Sequence, residues 1–212
     1  MEPSRTVVNA EAMQWLAANP AEPLTSVITS LPDLSELQEL GFEGWRSWFI
    51  ETARSVIRWV PADGVAIFFQ SDVRHKGAWI DKGFLVMSAA HEEKAAIVWH
   101  KIVCRKPPGS TALGRASYSH MICVARTHRD APQRPGPDVI PDAGFMPWPR
   151  AMGATACRVA CRFLREETPT QIVVDPFCGQ GSVLAVANAH GFAAVGIDLS
   201  PRRCRAALKQ DF

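Results

Sequence analysis

A strand, a glycine turn and a helix follow one another in residues 172–190, and no other feature of the sequence constrains the fold more. Residues 172–174 are β-branched and predict the strand, and the run Asp175-Pro176-Phe177-Cys178-Gly179-Gln180-Gly181 predicts the turn. A second predicted strand, residues 193–197, ends at Asp198, about 20 residues beyond the turn. Parallel strands joined by a helix in this way belong to an open α/β sheet.

The same segment has the chemistry of a nucleotide site. The second glycine, Gly181, would let the main chain approach a ligand, and the start of the following helix offers free N–H donors. The carboxylate of Asp198 can accept hydrogen bonds from a ribose diol, so the pair indicates an adenosine-type cofactor. A nicotinamide dinucleotide is disfavoured, because Leu184 stands where its fingerprint requires a third glycine.

The rest of the chain alternates short apolar strands with longer amphipathic stretches, which predicts an α/β fold. We expect seven strands, at residues 6–8, 25–30, 64–70, 96–102, 118–125, 171–175 and 193–197. A length of 212 residues favours a single domain, and 47% hydrophobic with 21% charged residues excludes a disordered chain. No apolar run reaches the roughly 20 residues of a membrane span and no signal-peptide pattern is present, so we expect a cytoplasmic protein without membrane contact.

The six cysteines form no CxxC pair, which disfavours a structural metal site. Cys157 and Cys161 are four residues apart and share one face of a predicted helix. That face is either part of the core or half of a metal site. The core is favoured, because no second pair is available to complete four ligands, and we expect no metal.

The run of residues 175–181 resembles motif I of S-adenosylmethionine-dependent methyltransferases, in particular the branch with DNA amino-methyltransferases and related RNA enzymes. Residues 9–33 and 147–152 resemble two further segments of the permuted β class of that family, in which the catalytic motif precedes the cofactor motif. The resemblance implies a Rossmann-like, seven-stranded class I sheet with helices on both faces and circularly permuted motif order. Within one methyltransferase domain, 1–212, it implies a catalytic half (about 1–126), a flexible loop (about 127–148) and a cofactor-binding half (about 149–212).

This resemblance also implies S-adenosyl-L-methionine as the cofactor and identifies residues that would hold it. Asn9 or Glu11 is expected near the adenine, Asp198 at the ribose and Arg150 near the methionine end. The implied cofactor-binding set is Asn9, Arg150, Asp175, Pro176, Phe177, Gly179, Gly181 and Asp198.

The catalytic tetrapeptide of the family is Asp, Asn or Ser, then Pro-Pro, then an aromatic residue, whereas this chain has Ser30-Leu31-Pro32-Asp33. The resemblance implies a catalytic set of Ser30, Pro32 and Asp33. Ser30 and the Leu31 carbonyl can still accept hydrogen bonds from an exocyclic amine. Asp33 cannot stack on a base; it either acts on a proton of the acceptor or caps the following helix with Glu36. Stacking would then come from Phe177, Phe145 or Trp148.

Charge is distributed unevenly along the chain. Residues 1–40 have one arginine against six acidic side chains, whereas residues 99–134 have seven Lys and Arg against one aspartate. The second segment is either a contact for nucleic-acid phosphates or a solvated basic surface. We expect a base in structured RNA as the substrate, because no sizeable target-reading module is present. The alternatives are a DNA amino-methyltransferase, a non-catalytic subunit with a methyltransferase fold, and a small-molecule methyltransferase.

Overall fold

The computed structural model describes residues 3–148 and 151–211. The strands are β1 (Arg5–Asn9), β2 (Thr25–Thr29), β3 (Ala66–Gln70), β4 (Val73–His75), β5 (Ala78–Ile80), β6 (Ala96–Cys104), β7 (Tyr118–Ala125), β8 (Val139–Ile140), β9 (Ile172–Asp175) and β10 (Ala193–Asp198). The α-helices are α1 (Ala12–Ala18), α2 (Gly41–Trp59), α3 (Lys82–Glu92), α4 (Ala154–Glu167), α5 (Ser182–Ala189) and α6 (Pro201–Lys209).

A mixed sheet with the strand order β1-β10-β9-β2-β3-β7-β6-β8 forms the centre of the fold. Only β7 runs antiparallel to its neighbours, β3 and β6. The first strand of the chain pairs with the last, since β1 lies parallel to β10 with Asn9 opposite Asp198. This order confirms the predicted α/β class and the permuted arrangement, because it brings the two ends of the chain together beside the glycine turn.

All seven expected strands are present, and the structure adds three more. The two-residue strand β8 pairs with β6, so the sheet has eight strands where seven were predicted. Strands β4 and β5 form a separate hairpin. Trp79 lies in β5, and the helix that follows, α3, begins at Lys82. Three-residue strands are too short for hydrophobic alternation to reveal them.

Helices cover both faces of the sheet, so its central strands are buried on both sides. All five residues of β2 and of β3 are buried. On one face, α4 and α5 pack through small and apolar side chains, and both Cys157 and Cys161 are fully buried in that core. The core interpretation of this cysteine pair is therefore confirmed. On the other face, α2 buries Trp45 and Phe49 completely. Within the described part of the chain, no helix has the length and apolar character of a membrane span.

Candidate functional site

A cavity of about 720 Å³ opens at the carboxyl ends of the parallel strands, which is where open α/β sheets bind ligands. Its walls come from segments that are far apart in sequence. The lining includes residues 10–12, 30–33, 71–73, 175–180 and 198–199. The predicted catalytic tetrapeptide and the predicted cofactor turn therefore share one cavity.

The glycine turn lies between β9 and α5, and its two glycines have different functions. Gly179 has φ +54°, and a Cβ atom placed there would meet nothing within 4 Å, so its main chain borders open space. Gly181 has φ +86°, and a Cβ there would lie 2.8 Å from the Cα of Ala207 in α6. The sequence assigned the approach to a ligand to Gly181, but the structure assigns it to Gly179. Gly181 is required by backbone conformation and by close packing on α6.

Asp198 ends β10 at the mouth of the cavity and is 9% exposed. Its Oδ2 accepts a hydrogen bond from Gly179 N (3.2 Å), and its Oδ1 accepts one from Ser200 N (2.7 Å). These bonds orient the carboxylate and leave acceptor capacity, because two carboxylate oxygens offer about four lone-pair sites. The position fits the expected contact with a ribose.

Asn9 has a structural role in this region. Its Nδ2 donates to the carbonyl oxygens of Asp198 (3.0 Å) and Leu199 (2.9 Å), which holds the turn after β10. Asn9 is not among the cavity-lining residues, whereas Glu11 is. Of the two residues expected near the adenine, Glu11 thus has the better placement. Arg150, expected near the methionine end, lies outside the described residues.

Asp175 ends β9 on the cavity wall and is 4% exposed. The hydroxyl of Thr29 donates to its Oδ1 (2.7 Å), as does Phe177 N (3.1 Å). Burial raises the pKa of Asp175 to about 7; the two hydrogen bonds partly oppose this shift and the charge of Asp198 adds to it. Asp175 is consequently a carboxyl group that changes charge near neutral pH inside the cavity.

The tetrapeptide Ser30-Leu31-Pro32-Asp33 follows β2 directly, and all four residues line the cavity. Leu31 is buried, and the indole Nε1 of Trp45 donates to the Pro32 carbonyl (3.2 Å), which fixes the loop to α2. Asp33 N donates to a carboxylate oxygen of Glu36 (3.2 Å), and the Asp33 side chain accepts from the main chain of Glu36, so the capping box expected as one of the two roles of Asp33 is present.

The side chain of Asp33 has a partner that the sequence did not indicate. Lys82 Nζ lies 2.5 Å from Asp33 Oδ1, and the Lys82 side chain is only 3% exposed against 28% for Asp33. Lysine at the start of a helix normally points to solvent, so no local signal marked it as a cavity residue. The pair places a charged group in the position where the related family has an aromatic ring.

The carboxylate of Asp72 binds the main chain of Lys82 at the start of α3. It accepts hydrogen bonds from Lys82 N (2.9 Å), Trp79 Nε1 (3.1 Å), the Tyr118 hydroxyl (3.2 Å) and His120 Nε2 (3.1 Å). Burial acts to raise the pKa of Asp72, but the His120 hydrogen bond and charge, with the other bonds, outweigh it, so the pKa lies below its usual range. Asp72, Asp81 and His120 also bring three potential metal-ligand atoms within 4.8 Å of one another. We assign Asp72 to hydrogen bonding, because its donors already surround it.

The comparisons with known proteins agree with this arrangement. A family model described as DNA methylase matches residues 164–209, and no curated protein matches. TTHA0409 from Thermus thermophilus, described as a candidate DNA modification methylase, has a similar structure: TM-score 0.71, 19% identity, 96% of this chain and 92% of that chain covered. The PvuII DNA methyltransferase (cytosine-N4-specific) gives a TM-score of 0.73 at 16% identity, covering 97% and 87%. The M1.HpyAVI complex with S-adenosylmethionine gives 0.65 at 13%, covering 97% and 98%.

This chain has a class I methyltransferase fold. The fold that the resemblance to the permuted amino-methyltransferases implies is thereby confirmed, and one of the similar structures, that of TTHA0409, is described as complexed with S-adenosyl-L-methionine. The cavity fits that cofactor. It has the size of a small-molecule site, its wall at Gly179 lacks a side chain where a Cβ would intrude, and carboxylates border it at Asp175 and Asp198.

An aromatic pair lies beside the cofactor turn of this methyltransferase fold. Trp48 and Phe177 both line the cavity, with ring centroids 6.1 Å apart in an edge-to-face arrangement. Trp45 and Phe49 of α2 are fully buried in the core, whereas Trp48 is half-buried, packs against that core and also lines the cavity. Of the other expected stacking residues, Trp148 lines the cavity and Phe145 is 70% exposed.

The basic segment 99–134 is divided between the two ends of the antiparallel strand pair β6 and β7. Arg105 and Arg115 line the cavity, and Lys106 is exposed beside them. Other members have structural partners: Lys101 Nζ donates to the Gly136 and Pro137 carbonyls (both 3.0 Å), Arg126 to the Arg58 carbonyl (3.2 Å) and Arg129 to the Asp63 carbonyl (2.8 Å). Only the part of the segment around residues 105–115 therefore faces the cavity.

Proposed function

We propose that this protein transfers a methyl group from S-adenosylmethionine to an exocyclic amine of a DNA base. One observation carries the proposal: residues 175–180 of the cofactor turn and the tetrapeptide, residues 30–33, line a single cavity at the carboxyl ends of the strands of a methyltransferase sheet. An acceptor held at the tetrapeptide would thus be close to a cofactor held at the turn. Proximity and alignment supply most of the rate enhancement in such a displacement.

S-adenosylmethionine, when bound, supplies an electrophilic methyl group. The protein must then orient the acceptor amine and dispose of one of its protons. Ser30 and Leu31 line the cavity, and in this proposal the Ser30 hydroxyl and the Leu31 carbonyl accept hydrogen bonds from the amine, which directs its lone pair toward the methyl group. Asp33 is placed to take the proton that the nitrogen loses, and the Lys82 ammonium stabilises the charged carboxylate until then.

DNA rather than RNA is the acceptor we favour. The matched family model is described as DNA methylase, and two of the similar structures have DNA in their descriptions. The RNA preference rested on the lack of a large recognition module, and no comparison supports it. Segments at the cavity rim can take over part of that recognition.

The direct experiment uses a radiolabelled methyl donor with the purified protein. We expect label to enter duplex or single-stranded DNA, and nucleoside mass spectrometry to identify N4-methylcytosine or N6-methyladenine. Label in structured RNA but not in DNA would restore the RNA alternative. Label in neither, with the cofactor bound, would favour the non-catalytic subunit, which the unusual tetrapeptide supports, or a small-molecule acceptor.

Asp198→Ala tests the cofactor half of the site. We expect the affinity for both S-adenosylmethionine and S-adenosylhomocysteine to fall by roughly 1 to 3 kcal/mol, because charge-assisted hydrogen bonds to the ribose are lost. Titration calorimetry measures both ligands. Asp130→Ala is the matched control, since Asp130 is exposed and lies outside the cavity. Unchanged affinity in the Asp198 variant would contradict the assignment.

A further inference from the structure

Strands β4 and β5 form a two-stranded ribbon that begins one residue beyond Asp72, at the rim of the cavity. The register pairs Val73 with Ile80, Arg74 with Trp79 and His75 with Ala78. The two turn residues, Lys76 and Gly77, have φ angles of +48° and +83°. Positive φ at both central positions is the signature of a type I′ turn, whose twist matches that of the strands.

The two faces of this ribbon differ in character, because alternate residues of a strand point to opposite sides. One face holds Val73, His75 and Ile80. Val73 and Ile80 pack against the core, and the His75 ring stacks on Phe42 at 4.3 Å with an interplanar angle of 4°. This face attaches the ribbon to the body of the protein.

The outer face holds Arg74 and Trp79, and the tip holds Lys76; all three are exposed. Arg74 Cζ lies 5.0 Å from the centroid of the Trp79 ring, and Trp79 is 41% exposed. The Trp79 indole is fixed, since its Nε1 donates to the buried carboxylate of Asp72 (3.1 Å). The acidic group nearest in sequence, Asp81, is engaged at the start of α3, where it accepts from Phe84 N (2.8 Å) and lies 3.5 Å from His120.

We propose that the ribbon of residues 73–80 is a DNA-contacting element that enters a groove of the duplex beside the base held in the cavity. This inference rests on the proposed function, because it takes DNA as the polymer whose base reaches residues 30–33. Arg74 and Lys76 provide cationic contacts to phosphates or base edges, and the Trp79 ring provides an apolar plane at the same surface. A two-stranded ribbon fits the major groove, which is about 12 Å wide.

The location of the ribbon supports this partner. Val73 lines the cavity at one end of the ribbon, so a duplex over the cavity would lie along it. Arg105 and Arg115 border the same cavity and add to the positive charge of Arg74 and Lys76. These cationic side chains together attract a polyanion to the mouth of the cavity.

The experiment compares a double charge reversal on the ribbon, Arg74→Glu with Lys76→Glu, with a matched reversal on α4, Arg158→Glu with Arg162→Glu. Fluorescence anisotropy with a labelled duplex is measured over a series of salt concentrations, and calorimetry measures S-adenosylmethionine affinity. For the ribbon variant we expect DNA affinity to fall at least about tenfold, and the slope of log affinity against log salt to fall by about 1 to 2. Cofactor affinity should stay at the wild-type value, which shows that the variant is folded.

Each outcome separates this inference from the proposed function. Equal DNA affinity and salt slope in the ribbon and α4 variants would overturn the role of the ribbon, even if the protein methylates DNA. Loss of binding to RNA but not to duplex DNA would overturn the assigned partner. Binding of DNA that depends on the ribbon but leads to no methylation would support the ribbon and contradict the proposed activity.

Discussion

Asp33→Asn is expected to slow methyl transfer at least about tenfold, the low end of general-base effects, while cofactor affinity stays unchanged. Asp33 lines the cavity, and the amide that replaces its carboxylate cannot take a proton. The substitution also removes the counter-charge of Lys82, whose ammonium is nearly buried. Loss of the charged pair with Lys82 should therefore lower the melting temperature moderately.

A double substitution separates these two effects. Lys82→Met keeps most of the length of the buried side chain and removes its charge, and it leaves Asp33, which is 28% exposed, accessible to water. Removing the other partner destabilises the protein more, because Asp33→Ala leaves the buried ammonium of Lys82 unpaired. This lowers the free energy of unfolding by about 3 kcal/mol or less, since Asp33 is partly exposed. Combining Asp33→Asn with Lys82→Met should therefore recover much of the stability while the methylation rate stays low.

Single-turnover methylation and thermal denaturation are measured for four proteins: the wild type, Asp33→Asn, Lys82→Met and the double variant. If Asp33→Asn lowered the melting temperature but left the rate of methyl transfer at the wild-type value, Asp33 would be a positioning or capping residue and not a proton acceptor. A rate that recovered together with stability in the double variant would also remove the proton-acceptor role. Lys82→Met is expected to slow transfer less than Asp33→Asn, because it leaves the carboxylate in place.

The local part of the site could be predicted from the sequence. Residues 172–198 specify strand, turn, helix and strand by short-range signals, and the structure has each of these elements within two residues of its expected place. The alternation of apolar strands and amphipathic stretches likewise predicted all the longer strands of the sheet. These features depend on residues that are neighbours in the chain, which is what patterns of two and 3.6 residues detect.

Contacts between distant segments could not be predicted in this way. Lys82 meets Asp33 across 49 residues, and Thr29 meets Asp175 across 146. Gly181 is required by Ala207, which lies on a different helix. The basic segment 99–134 is continuous in sequence but divided in space, because the antiparallel pair β6 and β7 leaves residues 105–115 at the cavity end and residues 126–134 at the opposite end of these strands.

The affinity for S-adenosylmethionine is expected to rise with pH until about pH 7, by up to tenfold per pH unit, because of Asp175. Its pKa is raised by burial to about 7, so below that pH the free protein holds a proton on this carboxyl. The cofactor is a sulfonium cation, and a cation in the same cavity favours the carboxylate and lowers its pKa. Binding must then release the proton, and the released proton makes affinity depend on pH.

Asp175 also makes the free energy of unfolding depend on pH. A carboxyl with a pKa near 7 in the folded protein and about 3.9 in the unfolded chain binds more protons when folded, so its contribution to the free energy of unfolding decreases as pH rises from about 4 to 7. Thr29→Val removes a hydrogen bond that favours the carboxylate, and the pKa of Asp175 should rise further in that variant. The window of pH-dependent cofactor binding would then move upward.

Calorimetry between pH 5 and 8, in buffers with different ionisation enthalpies, counts the protons released on binding. Asp175→Asn is the control, since it keeps the shape of the side chain and cannot ionise; its affinity should lose most of the pH dependence below pH 7. S-adenosylhomocysteine has the same amino acid group but a neutral thioether, so its affinity should vary less with pH than that of the sulfonium. Equal proton release by both ligands, or by the wild type and Asp175→Asn, would show that Asp175 does not sense the charge of the cofactor.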